Sequence, residues 1–156
     1  MNPRHRTPWV YLASQSPRRR QLLDQLGVAH ELLLPADDED AEALEAGLAA
    51  ELPAAYVVRV TDLKLAAAVQ RWRMRGLPPA PILCADTTVA LGRHIFGKPA
   101  DAQEAVQMLT ALAGRTHRVL TAVAVATGRR RQAALSVSRV TVAPMTVRQI
   151  RDYVAT

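Results

Sequence analysis

A strand–turn–helix unit near the start of the chain constrains the fold more than any other feature. The apolar run from Trp9 to Ala13 predicts a short strand. An amphipathic helix is predicted to follow it, with Gly27 as the stop. Between the two, Ser16 is a favourable N-cap residue, and Pro17 suits the first helical position, where no N–H donor is needed. A strand that turns directly into a helix indicates a fold that mixes both kinds of element.

Three consecutive arginines, Arg18 to Arg20, stand in the first turn of this predicted helix. Their charge opposes the positive end of the helix dipole, so a compensating negative charge is expected nearby. A bound polyanion would supply it, and the free N–H groups at a helix start also favour phosphate. Alternatively, the arginines point into water beside a well-capped helix. This stretch alone leaves both interpretations open.

The rest of the chain mixes predicted strands and helices. The patterns predict a strand at 30–34, a helix at 54–73, a strand at 81–85, a hairpin at 89–96, a helix at 101–113, long strands at 116–127 and 132–142, and a last helix from Thr146. The expected class is α/β or α+β. One domain over residues 9–156, behind a flexible leader at 1–8, is the expected organisation.

Charge and composition narrow the class of partner. The 156 residues carry a formal net charge of +6, which suits a polyanion such as a nucleotide or a nucleic acid. Aromatic residues make up only 4%, and no reading-helix motif is present, which disfavours a nucleic-acid binder. The single cysteine excludes an internal disulfide, and no apolar run approaches the ~20 residues that span a bilayer. A cytoplasmic protein without a membrane partner is therefore expected.

Three polar features outside the arginine turn are candidates for chemistry. An acidic run extends from Asp37 to Asp40, with a solvated loop as its alternative interpretation. Asp86 follows a predicted buried strand, where a metal ligand or general base is common, although a turn residue making an Asx bond fits as well. Lys98 lies between a glycine and a proline that would hold its ammonium in place, or it is an exposed turn lysine. Cys84 is expected to be a small buried packing residue, because no local base motif supports a nucleophilic thiol.

Several short motifs follow one another in a fixed order. They are Leu12 to Arg19, Asp38-Glu39, Tyr56 to Arg59 with Lys64, Ala85-Asp86-Thr87, Gly97-Lys98-Pro99, Gly114 to His117, and Thr121 to Val123. Together they resemble the Maf family of nucleoside triphosphate pyrophosphatases, also discussed as septum-inhibition proteins. The resemblance runs from Tyr11 to the end of the chain. It implies an α/β fold of the Maf and ITPase-like kind, with a mixed sheet flanked by helices.

The resemblance also implies a role for each matching residue. Asp86 resembles the general base and metal-linked carboxylate of the family, and Glu39 its second acidic residue at the metal, so that the implied cofactor is a divalent cation, Mg²⁺ or Mn²⁺. Lys64 and Lys98 resemble the lysines that hold phosphates, and Thr87 is similar to a base-selectivity position. The residues that match the phosphate-binding turn are Ser14, Ser16, Arg18 and Arg19, with Arg19 also at a selectivity position.

The triplet around Asp86 resembles the subgroup that prefers dTTP and UTP. The implied activity is hydrolysis of these substrates to the monophosphate and pyrophosphate, in a house-cleaning or cell-division-arrest role, and the family often forms homodimers. Family members continue beyond the point where this sequence stops, so the resemblance implies a domain that lacks its C-terminal segment. Two alternatives are a nucleotide-binding module without turnover and a basic nucleic-acid-binding protein that uses Arg18 to Arg20 and Arg129 to Arg131.

Overall fold

The structure is a computed structural model that describes residues 9–37 and 39–156, so the predicted leader at 1–8 and Asp38 lie outside the described residues. The strands of this part are β1 (Trp9–Leu12), β2 (Ala29–Leu32), β3 (Ile82–Leu91), β4 (His94–Phe96), β5 (Thr116–Thr127) and β6 (Arg130–Thr141). The α-helices are α1 (Pro17–Gln25), α2 (Pro53–Met74), α3 (Ala102–Leu112) and α4 (Val147–Val154). The structure confirms an α/β fold with a mixed sheet flanked by helices.

One six-stranded sheet runs in the order β2-β1-β3-β5-β6, and β4 pairs with β3 beside β1. Strand β1 is parallel to both β2 and β3, whereas β3 is antiparallel to β4 and β5, and β5 is antiparallel to β6. Because β1 and β4 use the same edge of β3, they divide that edge between them. This division leaves an opening in the sheet at the middle of β3.

The long helix α2 covers one face of β3 and β5 and forms the core with them. Its buried residues cluster on one side of the helix, as packing against a sheet requires, and Leu65 and Ala68 are almost fully enclosed. They meet the small side chains of Cys84 and Ala124, which let the helix approach the sheet closely. Cys84 is 1% exposed, which confirms its prediction as a packing residue. No helix of the described part is long and apolar enough to cross a membrane.

Strand β3 corrects one prediction from sequence. The sequence indicated a strand that ends before Asp86 and a separate hairpin further on, but β3 continues through Asp86 as one strand of ten residues. The reason is the long partner β5, which pairs with β3 without interruption from Ile82 to Ala90. Asp86 therefore lies in the middle of a strand and at the opening in the sheet, not at a strand end.

Candidate active site

A cavity of about 640 Å³ occupies the opening between the end of β1 and β4. The turn before α1 forms one wall, the middle of β3 forms the floor, and the segment around Lys98 forms the opposite wall. Residues 41–45 of the loop between β2 and α2 close another side, and α2 contributes Lys64 and Arg71. Five separate parts of the chain thus bring polar side chains to one cavity.

The turn before α1 is built around Ser14, which is 8% exposed. Its hydroxyl oxygen accepts a hydrogen bond from the backbone N–H of Ser16 at 3.2 Å and another from Nη1 of Arg19 at 3.1 Å. Ser16 is the N-cap residue of α1, as predicted, but its side chain makes no capping bond. Ser14, Ser16 and Arg19 line the cavity, whereas Arg18 is exposed and is not part of its lining. The structure therefore separates Arg18 from the other three predicted residues of this turn.

Lys64 links two carboxylates at the floor of the cavity. Its Nζ donates to Oδ1 of Asp86 and to Oε1 of Glu45, each at 2.8 Å. Burial lowers the pKa of Lys64, but the hydrogen bonds to Asp86 and Glu45 outweigh this effect and raise its pKa above the usual value. The lysine therefore stays charged and compensates both acidic groups while no substrate is bound.

Glu39 makes no hydrogen bond to this group and instead binds a buried arginine, Arg71. Nε of Arg71, a residue that is only 7% exposed, lies 2.9 and 3.0 Å from the two carboxylate oxygens of Glu39, and Nη2 also donates to Oε2. Nη1 of the same arginine donates to the carbonyl oxygen of Leu33 at 3.1 Å. These hydrogen bonds are the main reason why the pKa of Glu39 falls to about 2. Glu39 is not part of the cavity lining, so the structure does not bring it together with Asp86.

The remaining two predicted residues, Thr87 and Lys98, both line the cavity. Lys98 is exposed at the rim, where its ammonium can follow a bound anion. The hydroxyl of Thr87 forms a hydrogen bond of 3.1 Å with the hydroxyl of Thr121 on β5. Thr87 is thus held in place through a neighbouring strand, while Lys98 is free to adjust.

The cavity contains carboxylate oxygens that can bind a divalent cation, but they do not belong to the predicted pair of Glu39 and Asp86. Among the residues that the structure describes, no group of three or more His, Cys, Asp or Glu side chains is arranged to hold a metal ion. Asp86 and Glu45 are carboxylates close enough to share the ammonium of Lys64, and carboxylate oxygens are the ligands that Mg²⁺ prefers. Asp86 with Glu45 therefore fits a cation in donor chemistry, whereas Glu39 would first have to leave Arg71.

A protein-family model described as "Maf-like protein" matches this chain over residues 9–156. This chain belongs to the Maf family. The match includes every element that surrounds the cavity and confirms the resemblance seen in the sequence.

Curated relatives of this Maf-like chain share a name. A dTTP/UTP pyrophosphatase of Polaromonas is 69% identical over 147 residues, which cover 94% of this chain and 73% of that protein. A dTTP/UTP pyrophosphatase of Albidiferax ferrireducens is 66% identical, with 94% and 74% covered. A solved structure titled nucleoside-triphosphatase / dITP/XTP pyrophosphatase, from Mycobacterium abscessus, has a TM-score of 0.49 at 17% identity, with 85% of this chain and 73% of that one covered.

Sequence reasoning missed two residues of the site in this Maf-like chain, Glu45 and Arg71. Glu45 lies in an alanine-rich loop that offers no motif. A signal for Arg71 was available, because it follows Lys64 by seven residues and so lies two turns further along the same face of α2. An arginine on the buried face of a helix requires a partner, although the sequence does not indicate which acidic residue provides it.

Proposed function

We propose that this chain is a nucleoside triphosphate pyrophosphatase that converts dTTP and UTP to the monophosphate and pyrophosphate. The observation that carries the proposal is one cavity that holds Asp86 together with the cationic groups of Arg19, Lys64 and Lys98. The choice of dTTP and UTP is supported by relatives of that name at 69% and 66% identity.

In this reaction, positively charged groups must neutralise the triphosphate before a general base can activate the attacking water. Water attacks the α-phosphorus, the bond to the oxygen that bridges the α- and β-phosphates breaks, and pyrophosphate leaves with that oxygen. A triphosphate repels any oxygen nucleophile, so cations must first neutralise the phosphate oxygens. Arg19 is fixed by Ser14 and offers a guanidinium of defined direction, whereas Lys98 at the rim can close on the bound polyanion.

Asp86 is the group that takes the proton of the attacking water in this proposal. Its Oδ1 already accepts from Lys64, and its Oδ2 has no hydrogen-bond partner among the described residues. A carboxylate fixed by one oxygen and open at the other can orient a water molecule and accept its proton. Lys64 stabilises the carboxylate before the step and is close enough to contact a phosphate during it.

We also propose a divalent cation, Mg²⁺ or Mn²⁺, as the cofactor. When bound, it would neutralise part of the phosphate charge. Asp86 and Glu45 would hold it in the arrangement of this structure. Glu39, the ligand that the family resemblance implies, would take part only after release from Arg71.

We also infer a cytoplasmic setting, free nucleotides as substrates, and a house-cleaning or cell-division-arrest role, with a homodimer as the assembly. The unpaired, buried Cys84 is consistent with a reducing compartment. The name shared by the relatives supports free nucleotides over a nucleic acid.

Pyrophosphate release from a panel of nucleoside triphosphates, with Mg²⁺ or Mn²⁺, tests the proposed activity. Asp86→Asn keeps the shape of the side chain and removes the base, so we expect the rate with dTTP and UTP to fall by about 10²–10⁴-fold. Asp152→Asn makes the same change on an exposed carboxylate of α4 and should leave the rate unchanged. Equal rates for wild type and Asp86→Asn would refute the mechanism, and no release from wild type would refute the activity.

A further inference from the structure

The part of the cavity wall that carries Glu45 is held from behind by side chains of α2. Glu45 ends a single 3₁₀ turn, Ala43–Glu45, in the loop before that helix. The last carbonyl groups of a helical turn have no partner within it, so other groups must satisfy them. Tyr56 and Arg59 supply the donors for the two carbonyl groups at the end of this turn.

Tyr56 and Arg59 lie three residues apart at the start of α2 and therefore share one face of the helix. The hydroxyl of Tyr56 donates to the carbonyl oxygen of Glu45 at 2.8 Å, and Nη2 of Arg59 donates to the carbonyl oxygen of Ala46, also at 2.8 Å. The guanidinium carbon of Arg59 lies 5.7 Å from the centre of the Tyr56 ring, a distance at which cation and ring attract each other. Two consecutive carbonyl groups of the loop are thus attached to one helix face.

Glu51 fixes the direction of the arginine. Nε of Arg59 donates to Oε1 of Glu51 at 2.6 Å, and Nη2 donates to Oε2 at 2.8 Å. A two-point bond between a guanidinium and a carboxylate defines both their distance and their orientation. Arg59 is not part of the cavity lining, so it acts on the site through Tyr56 and Ala46. We call Glu51, Tyr56 and Arg59 the loop clamp.

The loop clamp is needed because the carboxylate of Glu45 is weakly held by itself. In the part of the chain that the structure describes, its single hydrogen bond comes from Lys64, at 2.8 Å, and its side chain is 39% exposed. Lys64 is close enough to contact a phosphate of the substrate, and such a contact would compete with this bond. The clamp binds backbone carbonyl groups, so its hydrogen bonds remain when Lys64 moves.

We propose that Tyr56 and Arg59 are positioning residues that hold the carboxylate of Glu45 at the cavity floor for a divalent cation. This inference rests on the proposed function, in which Asp86 and Glu45 hold the cation. Strand β3 fixes Asp86, whereas Glu45 belongs to a loop that must be held in place by other residues. A ligand that has to be ordered at the moment of binding lowers the affinity of its site, and the clamp removes this cost in advance.

Binding of Mn²⁺ to the chain without nucleotide tests the inference by electron paramagnetic resonance. Tyr56→Phe removes the hydroxyl and keeps the ring beside Arg59, and we expect the dissociation constant of Mn²⁺ to rise about three- to tenfold, the loss expected for one hydrogen bond. Arg59→Gln releases Ala46 as well and should raise it by at least about tenfold. Tyr153→Phe and Arg148→Gln, at exposed positions of α4, are the matched controls.

A double-mutant cycle separates positioning from general support of the fold. If Tyr56 acts on the cation through Glu45, Tyr56→Phe should change Mn²⁺ binding by less than about twofold once Glu45→Gln has removed the carboxylate. A hydrogen bond that only supports the fold would weaken binding by the same factor in both backgrounds. Raising the Mn²⁺ concentration should also restore the rate of pyrophosphate release from UTP in Tyr56→Phe, whereas the loss of a direct substrate contact would persist.

Unchanged Mn²⁺ binding in Tyr56→Phe or in Arg59→Gln would overturn the inference, and so would an equal effect of Tyr56→Phe with and without the Glu45 carboxylate. These results leave the proposed function standing if wild type releases pyrophosphate from UTP. If wild type binds Mn²⁺ but releases no pyrophosphate, the proposed function fails while the cycle still decides on the clamp. Absence of both Mn²⁺ binding and pyrophosphate release would overturn the two proposals together.

Discussion

At the scale of single residues, the site is defined by how its charges are paired. Lys64 holds Asp86 and Glu45, while Arg71 holds Glu39. The two acidic residues that the family resemblance joins at one metal thus belong to separate ion pairs in this structure. Which carboxylates bind a cation can therefore be decided by measurement on the chain itself.

Binding of Mn²⁺, followed by the loss of the free-ion signal in electron paramagnetic resonance, distinguishes the two assignments. We expect Glu45→Gln to weaken Mn²⁺ binding by at least about tenfold, because it removes one of the two carboxylates at the cavity floor. Glu39→Gln should have little effect while Arg71 occupies Glu39. Glu31→Gln, on an exposed residue of β2, is the matched control. A large loss in Glu39→Gln alone would instead show that Glu39 leaves Arg71 to bind the cation.

At the scale of elements, α2 organises the loop before it through three ion pairs. Arg71, Lys64 and Arg59 bind Glu39, Glu45 and Glu51 in turn, so basic residues along one helix hold acidic residues along one loop. Tyr56 adds a hydrogen bond of 2.8 Å from its hydroxyl to the carbonyl oxygen of Glu45. This loop is a wall of the cavity, and its position therefore depends on the charge of its carboxylates.

The pairing of Glu39 makes part of the stability depend on pH. Hydrogen bonds from Arg71 lower the pKa of this carboxyl from about 4.5 to about 2 in the folded chain. A carboxyl with a lowered folded pKa stabilises the fold above its unfolded pKa, and this contribution is lost as the pH falls toward the folded value. Thermal unfolding of wild type and Glu39→Gln should therefore differ most near pH 7, with wild type the more stable, and converge between about pH 4.5 and pH 2. A difference that stays constant over this range would contradict the role of the Arg71 pair.

Local patterns predicted most elements, but not the continuity of β3. The helix predicted at 54–73 is α2, and the long strands predicted at 116–127 and 132–142 match β5 and β6 closely, because apolar periodicity in each reflects contact with the core. The polar residues after Ala85 look like a turn in sequence. They stay in a strand because β5, more than 30 residues away, pairs along the whole segment. Such long-range pairing leaves no signal in the segment itself.

The functional site, like β3, could be predicted from sequence only in part. Ser14, Lys64 and Asp86, which the motifs indicated, all line one cavity. The partners of the acidic loop could not be read from sequence, because they depend on which turn of α2 each carboxylate reaches. Glu45 was missed for this reason.

At the scale of the whole molecule, the net charge of +6 creates a field that attracts a polyanion. Arg18 and Arg19 allow the long-range attraction of the substrate to be distinguished from direct binding. Arg18 is exposed outside the cavity, whereas Arg19 lines it. A charge outside the cavity acts on the approach of the substrate, and dissolved salt screens it over about 10 Å at 0.1 M and 3 Å at 1 M. A charge that contacts the phosphates inside the cavity is screened much less.

The dependence of kcat/KM for UTP on ionic strength tests this division. We expect Arg18→Gln to lower kcat/KM a few-fold at low salt and to match wild type near 1 M, because its contribution is a screened, long-range attraction. Arg19→Gln should lower kcat/KM at every salt concentration, because it removes a direct contact and the hydrogen bond to Ser14. Arg148→Gln, on an almost fully exposed side chain of α4, is the matched control for the loss of one positive charge. If Arg18→Gln stayed impaired at 1 M salt, Arg18 would contact the substrate directly, and the turn would bind phosphate with both arginines, as the family resemblance implies.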